Sequence, residues 1–367
     1  MDAPVAAQLR SPSPSAARSE RSSLLADVLS HVRLSGAIFM RGEYGEPWAF
    51  ETPQAEQLSA LLAQGFERLI PFHAVKAGRA WVDGDGIHHA LEVGDLAIVS
   101  HAHQHRLGGG PPPARATPIG ALIPPLPWTE MPVVRIDGGG ERTEIICGYF
   151  RCDEPLFNNV LRYLPSVFVV RPQGPAADFF AATMNYAASD GVGVEASLSA
   201  RLPEILLAEA LRLFSESSPQ ANGWLAATGD PVIGRAMALL HDDPARDWTV
   251  DELAHTAGTS RSVLTDRFSR LLDQSPMQYL TEWRMQLAAD LLRSSSLKLA
   301  DIAERVGYGS DAAFSRAFRR HVGTWPAEFR EGSARKRGGQ VARAGMKRKP
   351  MPIRLREAKA RTIESIE

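Results

Sequence analysis

The chain has 367 residues, 44% hydrophobic and 23% charged, with 41 lysines plus arginines against 42 aspartates plus glutamates. This is the composition of a globular protein with room for about two or three domains, and the balanced charge names no anionic partner. Cys147 and Cys152 are too few for a disulfide scaffold and suit a reducing compartment; without a signal-like or membrane-spanning apolar run the expected location is cytoplasmic, with no membrane partner.

Residues 1–22 are rich in Ser, Pro and Ala and are expected to be disordered. "LLADVLSHVRLSG" then reads as a short amphipathic helix ending at Gly36. From Ala37 to Phe150 short apolar runs alternate with Gly, Pro and Asp, which predicts a compact β-sandwich or barrel. "VDGDG" at 82–86 predicts a hairpin turn, and the Gly/Pro-rich stretch 108–128 a long irregular loop. Cys147 and Cys152, five apart on one strand, point to opposite faces; they are buried structural thiols or, alternatively, a redox pair that would need a bulge to join. After Asp153, "PLFNNVLRYLP", "AADFFAATMNYAAS" and "LSARLPEILLAEALRLFSES" space apolar residues by three and four, as helices do. The last offers an apolar stripe either to a second subunit or to the chain's own core. Residues 217–230, "SSPQANGWLAATGD", read as a linker.

Residues 231–330 contain an internal repeat. Ala254, Gly258, Phe268 and Pro276 recur as Ala303, Gly307, Phe318 and Pro326, with one residue inserted at the turn in the second copy. Each half is a short helix, a glycine turn and a second helix. "TVDE" at 249–252 has the form of a capping box, and Ser260 and Ser310 stand where the second helices need N-caps. Leu264, Phe268, Leu271 and Leu272, and likewise Phe314, Ala317, Phe318 and Val322, form stripes to be buried. Ser262, Thr265, Asp266 and Ser269, and Ala312, Ser315, Arg316 and Arg319, form the opposite free stripes. This is helix-turn-helix patterning, whose second helix fits a DNA major groove about 12 Å wide. The amphipathic helix "PMQYLTEWRMQLAADLLRSS" between the halves, about 27 Å long at 1.5 Å per residue, would hold the two readers close to one DNA turn apart.

The segment from "MQYLTEWRMQLA" through "IAERVGYGSDAAFSRAFRRHVGTWPAEFR" resembles the C-terminal signature of the AraC/XylS family of bacterial transcription regulators. The resemblance covers about 100 residues and is carried by the doubled unit with its linker. It implies double-stranded DNA as partner, with RNA polymerase as a further one. Base contacts would come from Asp311, Ala312, Ser315 and Arg316 in the second unit, Arg316 offering a bidentate fork to guanine, and from Ser262, Thr265 and Asp266 in the first. Asp266 departs from the arginine of many relatives and leaves direct readout by the first unit in doubt. Arg261, Arg267, Arg270, Arg319 and Arg320 would position phosphates; the bland alternative is a solvated charged face.

"EVGDLAIVSHAHQH" resembles the second cupin motif, with Gly94 and His105 in place and Ser100 and Ala102 replacing its proline and glycine. "FHAVKAGRAWV" resembles the first motif as found on AraC-type regulators: His73 is present, Val75 breaks the His-x-His pair, and the expected glutamate is missing. A cupin metal centre takes three His and one Glu, so no metal or other cofactor is assigned, although alternation of His101, His103 and His105 leaves an improvised site open. The remaining use of the barrel is an effector pocket for a small molecule, with Trp48, Phe72, His73, Trp81, His103 and His105 as lining; plain core is the alternative.

The chain is therefore expected to be α+β: an N-terminal cupin-like β-barrel with following helices, then an all-α double helix-turn-helix domain. The divisions are a disordered start at 1–22, a cupin-like effector-sensing domain at 23–153, a helical dimerisation or packing segment at 154–216, a linker at 217–230, the double unit at 231–330 and a basic tail at 331–367. That tail, with "RKR" at 335–337 and "KRK" at 347–349, would add sequence-independent DNA affinity or none. The expected function is a homodimeric, non-enzymatic DNA-binding transcription regulator modulated by an effector. The rivals are a cupin metalloenzyme with an accessory DNA-binding module and a cysteine-based redox regulator.

Overall fold

A computed structural model describes residues 24–25, 27–28, 34–62, 69–100, 103–113, 115–125, 128, 131–152, 164–189, 202–217 and 223–333. The expectations for residues 1–22 and for the tail beyond 333 lie outside these residues, as do those for residues 155–163 of "PLFNNVLRYLP" and for His101. In chain order the sheet half runs β1 (Leu34–Gly45), β2 (Trp48–Thr52), α1 (Ala55–Leu61), β3 (Leu69–Ala77), β4 (Ala80–Gly84), β5 (Ile87–Leu91), β6 (Leu96–Val99), β7 (His105–Gly109), β8 (Thr117–Pro118), α2 (Ile119–Leu122), β9 (Val133–Asp137), β10 (Arg142–Cys152) and β11 (Val167–Val170). The helical half runs α3 (Pro175–Ser189), α4 (Leu202–Ser217), α5 (Trp224–Gly229), α6 (Ile233–Asp242), α7 (Val250–Thr256), α8 (Arg261–Leu272), α9 (Pro276–Ser294), α10 (Leu299–Arg305) and α11 (Asp311–Val322).

The strands form a six-stranded sheet, β11-β6-β3-β10-β1-β9, and a five-stranded sheet, β5-β4-β7-β2-β8. Between them lies a core built on Tyr44, Trp48, Phe50, Val75, Val82, Leu107, Ile145 and Cys147. β3 is buried along most of its length because it is covered on both faces. Leu69 and Val75 face the other sheet, while Ile70, Phe72 and Ala74 face the helices. The predicted turn is a two-residue hairpin between β4 and β5, with Asp85 and Gly86 at φ 50 and 75.

Four expectations are corrected. The first helix cannot run to Gly36, because β1 has begun by Leu34, paired with Cys152. The stretch 108–128 is not all loop: Thr117–Pro118 pair with β2 and a short helix follows. The segment 154–216 contains a strand, β11, whose run Val167–Val170 pairs antiparallel with β6 and extends the barrel past residue 153. Within the linker, Trp224–Gly229 are helical and Trp224, Leu225 and Ala227 are buried.

The apolar stripe of α4 (Leu206, Leu207, Ala210, Leu211 and Phe214) packs within the chain, against β1, β10 and β11. That core continues through Trp224, Met237 and Leu240 into Leu253, Leu264 and Phe268, so the first repeat unit shares one core with the outer face of the six-stranded sheet. The second unit has a core of its own around Met285, Leu292, Ile302, Phe314 and Phe318. Among the described residues no helix is long and apolar enough to cross a membrane.

Candidate functional site: two reading helices and a buried polar chain

Each repeat unit is bounded as its sequence chemistry requires. Thr249 accepts a hydrogen bond from the Glu252 N–H at the start of α7, but the expected capping box does not close, because the Glu252 carboxylate accepts from Arg246 instead. Ser260 accepts from the Val263 N–H at 3.4 Å and Ser310 from the Ala313 N–H at 3.2 Å, capping α8 and α11. The turns before them place Gly258 and Gly307 at φ 78 and 76. At Gly307 a side chain is excluded twice, since a Cβ would also lie 2.6 Å from the Ala245 carbonyl and 2.7 Å from the Arg284 guanidinium.

With Leu264, Phe268 and Leu272 buried, α8 exposes Arg261, Ser262, Thr265, Asp266, Ser269 and Arg270. With Phe314 and Phe318 buried, α11 exposes Asp311, Ala312, Arg316, Arg319 and Arg320, and Ser315 is half-buried. The arginines separate by partner. Arg267 bonds both carboxylate oxygens of Asp230 at 3.1 Å, which ties α8 to the α5–α6 junction. Arg261 bonds Asp251 at 3.0 Å with both groups largely exposed, a pairing that solvent keeps weak. Arg270, Arg316, Arg319 and Arg320 have no carboxylate partner among the described residues. Free positive charge therefore concentrates on α11, and α8 presents hydroxyls beside Asp266.

A residue that the sequence reading passed over sets the two units relative to each other. Arg284, from the "WRMQLA" of α9, donates to the Pro244 carbonyl at 2.7 Å, to the Arg246 carbonyl at 2.8 Å and to the Gly307 carbonyl at 3.4 Å. The first two acceptors belong to the α6–α7 loop and the third to the turn between α10 and α11. One planar fork thus spans both units.

Inside the barrel, His73, His105 and Cys147 form a buried chain. His105 Nδ1 lies 2.9 Å from the His103 carbonyl, which only accepts, so Nδ1 carries the proton. Burial brings the His105 pKa down to about 4 and holds His73 well below the usual range, so both rings are neutral at neutral pH. His105 Nε2 must then accept from His73 Nε2–H at 2.8 Å, which leaves His73 Nδ1 to accept from the Cys147 thiol at 3.0 Å. Burial pushes the thiol pKa up, keeping it protonated as a donor. Beside this chain, Tyr44 OH and Trp48 Nε1 are buried with no hydrogen-bond partner among the described residues. The Tyr44 and Trp48 rings lie tilted against each other with centroids 4.2 Å apart.

Residues 23–216 match the cupin family model and residues 253–332 a helix-turn-helix domain model. An AraC-like transcription regulator of Streptomyces lividans is 35% identical over 277 residues, covering 72% of this chain and 87% of the relative. The chain belongs to the AraC family. A second AraC-like regulator, from Streptomyces antibioticus, is 48% identical over 131 residues, covering 35% of this chain and 43% of that one. Among solved structures, the DNA-binding domain of AdpA in complex with a target DNA is 30% identical and covers 30% of this chain and 97% of that domain, with a TM-score of 0.29.

As an AraC-family member the protein is a sequence-specific DNA-binding regulator of transcription, and α8 and α11 are the second helices of its two helix-turn-helix units. Of the six residues expected to line an effector pocket, only Trp48, His73 and His105 come together inside the barrel. Phe72 is turned the other way by the pleat and stacks on Phe150 against the helices, centroids 4.6 Å apart. Trp81 lies outside the barrel core, bonded to the Gly110 carbonyl at 2.8 Å with the Arg106 guanidinium over its ring. His103 is exposed just ahead of β7, so the expected strand alternation of histidines does not form there. Tyr44, Phe50 and Cys147 belong to the buried group and were missed. The signal was parity, since Trp48 and Phe50 share one face of β2 and Cys147 pairs directly with His73 across β3 and β10.

Proposed function

We propose that this AraC-family regulator senses a small molecule inside its cupin barrel and transmits occupancy to DNA through the first reading unit. The observation that carries this reading is the single apolar core running from the outer face of the six-stranded sheet through α4 to Phe268 on α8. A change in the setting of β3 or β10 is felt by α8 through close-packed side chains. A polar path joins the same units. Trp224 Nε1–H donates to Tyr279 OH at 3.1 Å, Tyr279 OH lies 2.8 Å from His241 Nε2, and His241 Nδ1 lies 2.7 Å from Asp27 ahead of the barrel.

The unpartnered donors of Tyr44 and Trp48 support the barrel interior as the sensing site, because a buried donor without an acceptor costs about 1–3 kcal/mol that a ligand oxygen would recover. His73 and His105 aim their Nε2 atoms at each other, which favours this sensor role over a catalytic metal centre. Within the same proposal the protein works in the cytoplasm as a homodimer, its divisions being the barrel with α3 and α4, a short connection at α5, and the double unit from α6 onward. The effector shifts DNA binding only if it prefers one arrangement of the first unit.

A metabolite panel tests this by thermal shift on the full chain. A ligand at 100 times its Kd should add about 2.7 kcal/mol of stability to the wild type and change DNA affinity. The Tyr44→Phe/Trp48→Phe variant should lose both responses while still binding DNA. A ligand that stabilises both proteins equally, or leaves DNA affinity unchanged, refutes the reading.

A further inference from the structure

Trp325 lies beyond the end of α11, outside both reading helices. It lies in the second unit at the position that Ser275 holds in the first, one residue before the repeated proline. In the first copy Ser275 is the N-cap of α9, accepting from the Gln278 N–H at 3.3 Å while Gln278 Oε1 accepts from the Ser275 N–H at 2.9 Å. In the second copy the helix at residues 326–333 is capped otherwise. Glu328 Oε2 accepts from Thr324 Oγ1 at 2.9 Å and from the Trp325 N–H at 3.2 Å. The 325 side chain is thereby released from capping, and a tryptophan there is 37% exposed and outside the core of the unit.

The exposed ring faces a cation. The Arg319 guanidinium lies over it, 4.5 Å from the ring centroid. Arg319 stands on the exposed stripe of α11 with Ala312 and Arg316, and has no carboxylate partner among the described residues. Stacking occupies the face of the guanidinium and leaves its in-plane N–H donors free, the geometry in which arginine meets a phosphate. It also removes side-chain freedom before DNA arrives, which lowers the ordering cost of binding. The equivalent positions of the first unit, Ser269 and Ser275, supply neither charge nor ring.

We infer that Trp325 is a positioning residue for DNA binding: it holds the Arg319 guanidinium for a backbone phosphate beside the groove that α11 enters, giving the second unit a grip that the first lacks. The effect is on affinity for any sequence, since a phosphate carries no base identity.

Binding of the full-length chain to a fluorescent mixed-sequence duplex, measured across a salt series, tests the inference without knowledge of the operator. Arg319→Ala should lower the slope of log K against log salt by about 0.9, one phosphate contact. Trp325→Ala should reproduce most of that change with a few-fold loss of affinity, and the double variant should match Arg319→Ala alone. Trp325→Tyr should restore binding and Trp325→Leu should not, with melting temperatures unchanged throughout. Wild-type slope and affinity in Trp325→Ala overturn the inference, as do additive effects in the double variant or full activity in Trp325→Leu. Should Trp325→Ala not fold, the tyrosine and leucine variants decide. A wild-type slope in Arg319→Ala overturns it as well, while the placement of α11 on DNA is judged separately by Arg316→Ala and Arg320→Ala.

Discussion

The His73–His105 pair is neutral for a reason that has a measurable sign. The His105 pKa falls from 6.5 to about 4 because its charged form would be buried. Between those values the unfolded chain binds a proton that the folded chain refuses, so stability is complete above pH 6.5 and drops as pH falls toward 4. The loss attributable to His105 is about 3 kcal/mol at 1.36 kcal/mol per pKa unit. Urea unfolding of the full chain at a series of pH values should show it, and His105→Gln should flatten the profile in that window. The arginines make a second prediction at this scale. Arg316→Ala should cost about 1–3 kcal/mol at a preferred site and relax specificity at one base pair, as footprint-based selection of bound sequences would reveal. Arg267→Ala should instead lower the melting temperature with little effect on the salt slope, because its guanidinium is bound to Asp230. The bond that holds Arg267 could not be read from the sequence, since only the fold brings Asp230 to α8.

At the scale of elements, the two reading units are set by α9 and by the fork of Arg284. Three backbone carbonyls from both units converge on that guanidinium, whose positive charge makes each bond stronger than a neutral one. Arg284→Ala should destabilise the α10–α11 unit by about 2 kcal/mol, following the typical worth of a charged hydrogen bond. It should also weaken binding to sites that need both units more than binding to a single half-site, and footprints should shorten at one end. The caps at Ser260, Ser310 and Thr249 were all legible beforehand, because a cap is a contact among residues three apart. The β11 strand was not legible: four residues of β-branched and aromatic character become a strand only because the β6 edge is there to pair with them.

For the whole molecule the division of cores matters most. The first unit shares its core with the sensor and the second has its own, so the first should melt with the sensor and the second as a separate cooperative body. Hydrogen exchange should report this directly. Phe318→Ala, at a cost of about 3–5 kcal/mol, should expose the amides of α10 and α11 while α8 stays protected. Phe268→Ala should loosen α8 together with α4 and the outer face of β3. Equal loss of protection everywhere in both variants would refute the two-body description. This arrangement also explains why the proposed signal would enter at α8 and reach α11 through α9 and the Ala245–Gly307 contact.

What the sequence by itself determined is everything held by short-range chemistry: the doubled helix-turn-helix pattern, its glycine turns and serine caps, the Asp85–Gly86 hairpin and the family. What the tertiary structure alone decided is which side of each strand meets which neighbour. β3 is covered on both faces, so its residues carry no polar alternation from which to read that His73 points in and Phe72 out. The single proton order through Cys147, His73 and His105, the capture of Arg267 by Asp230 and the fork of Arg284 depend likewise on residues far apart in the chain. Such contacts are made by packing, which no local pattern encodes.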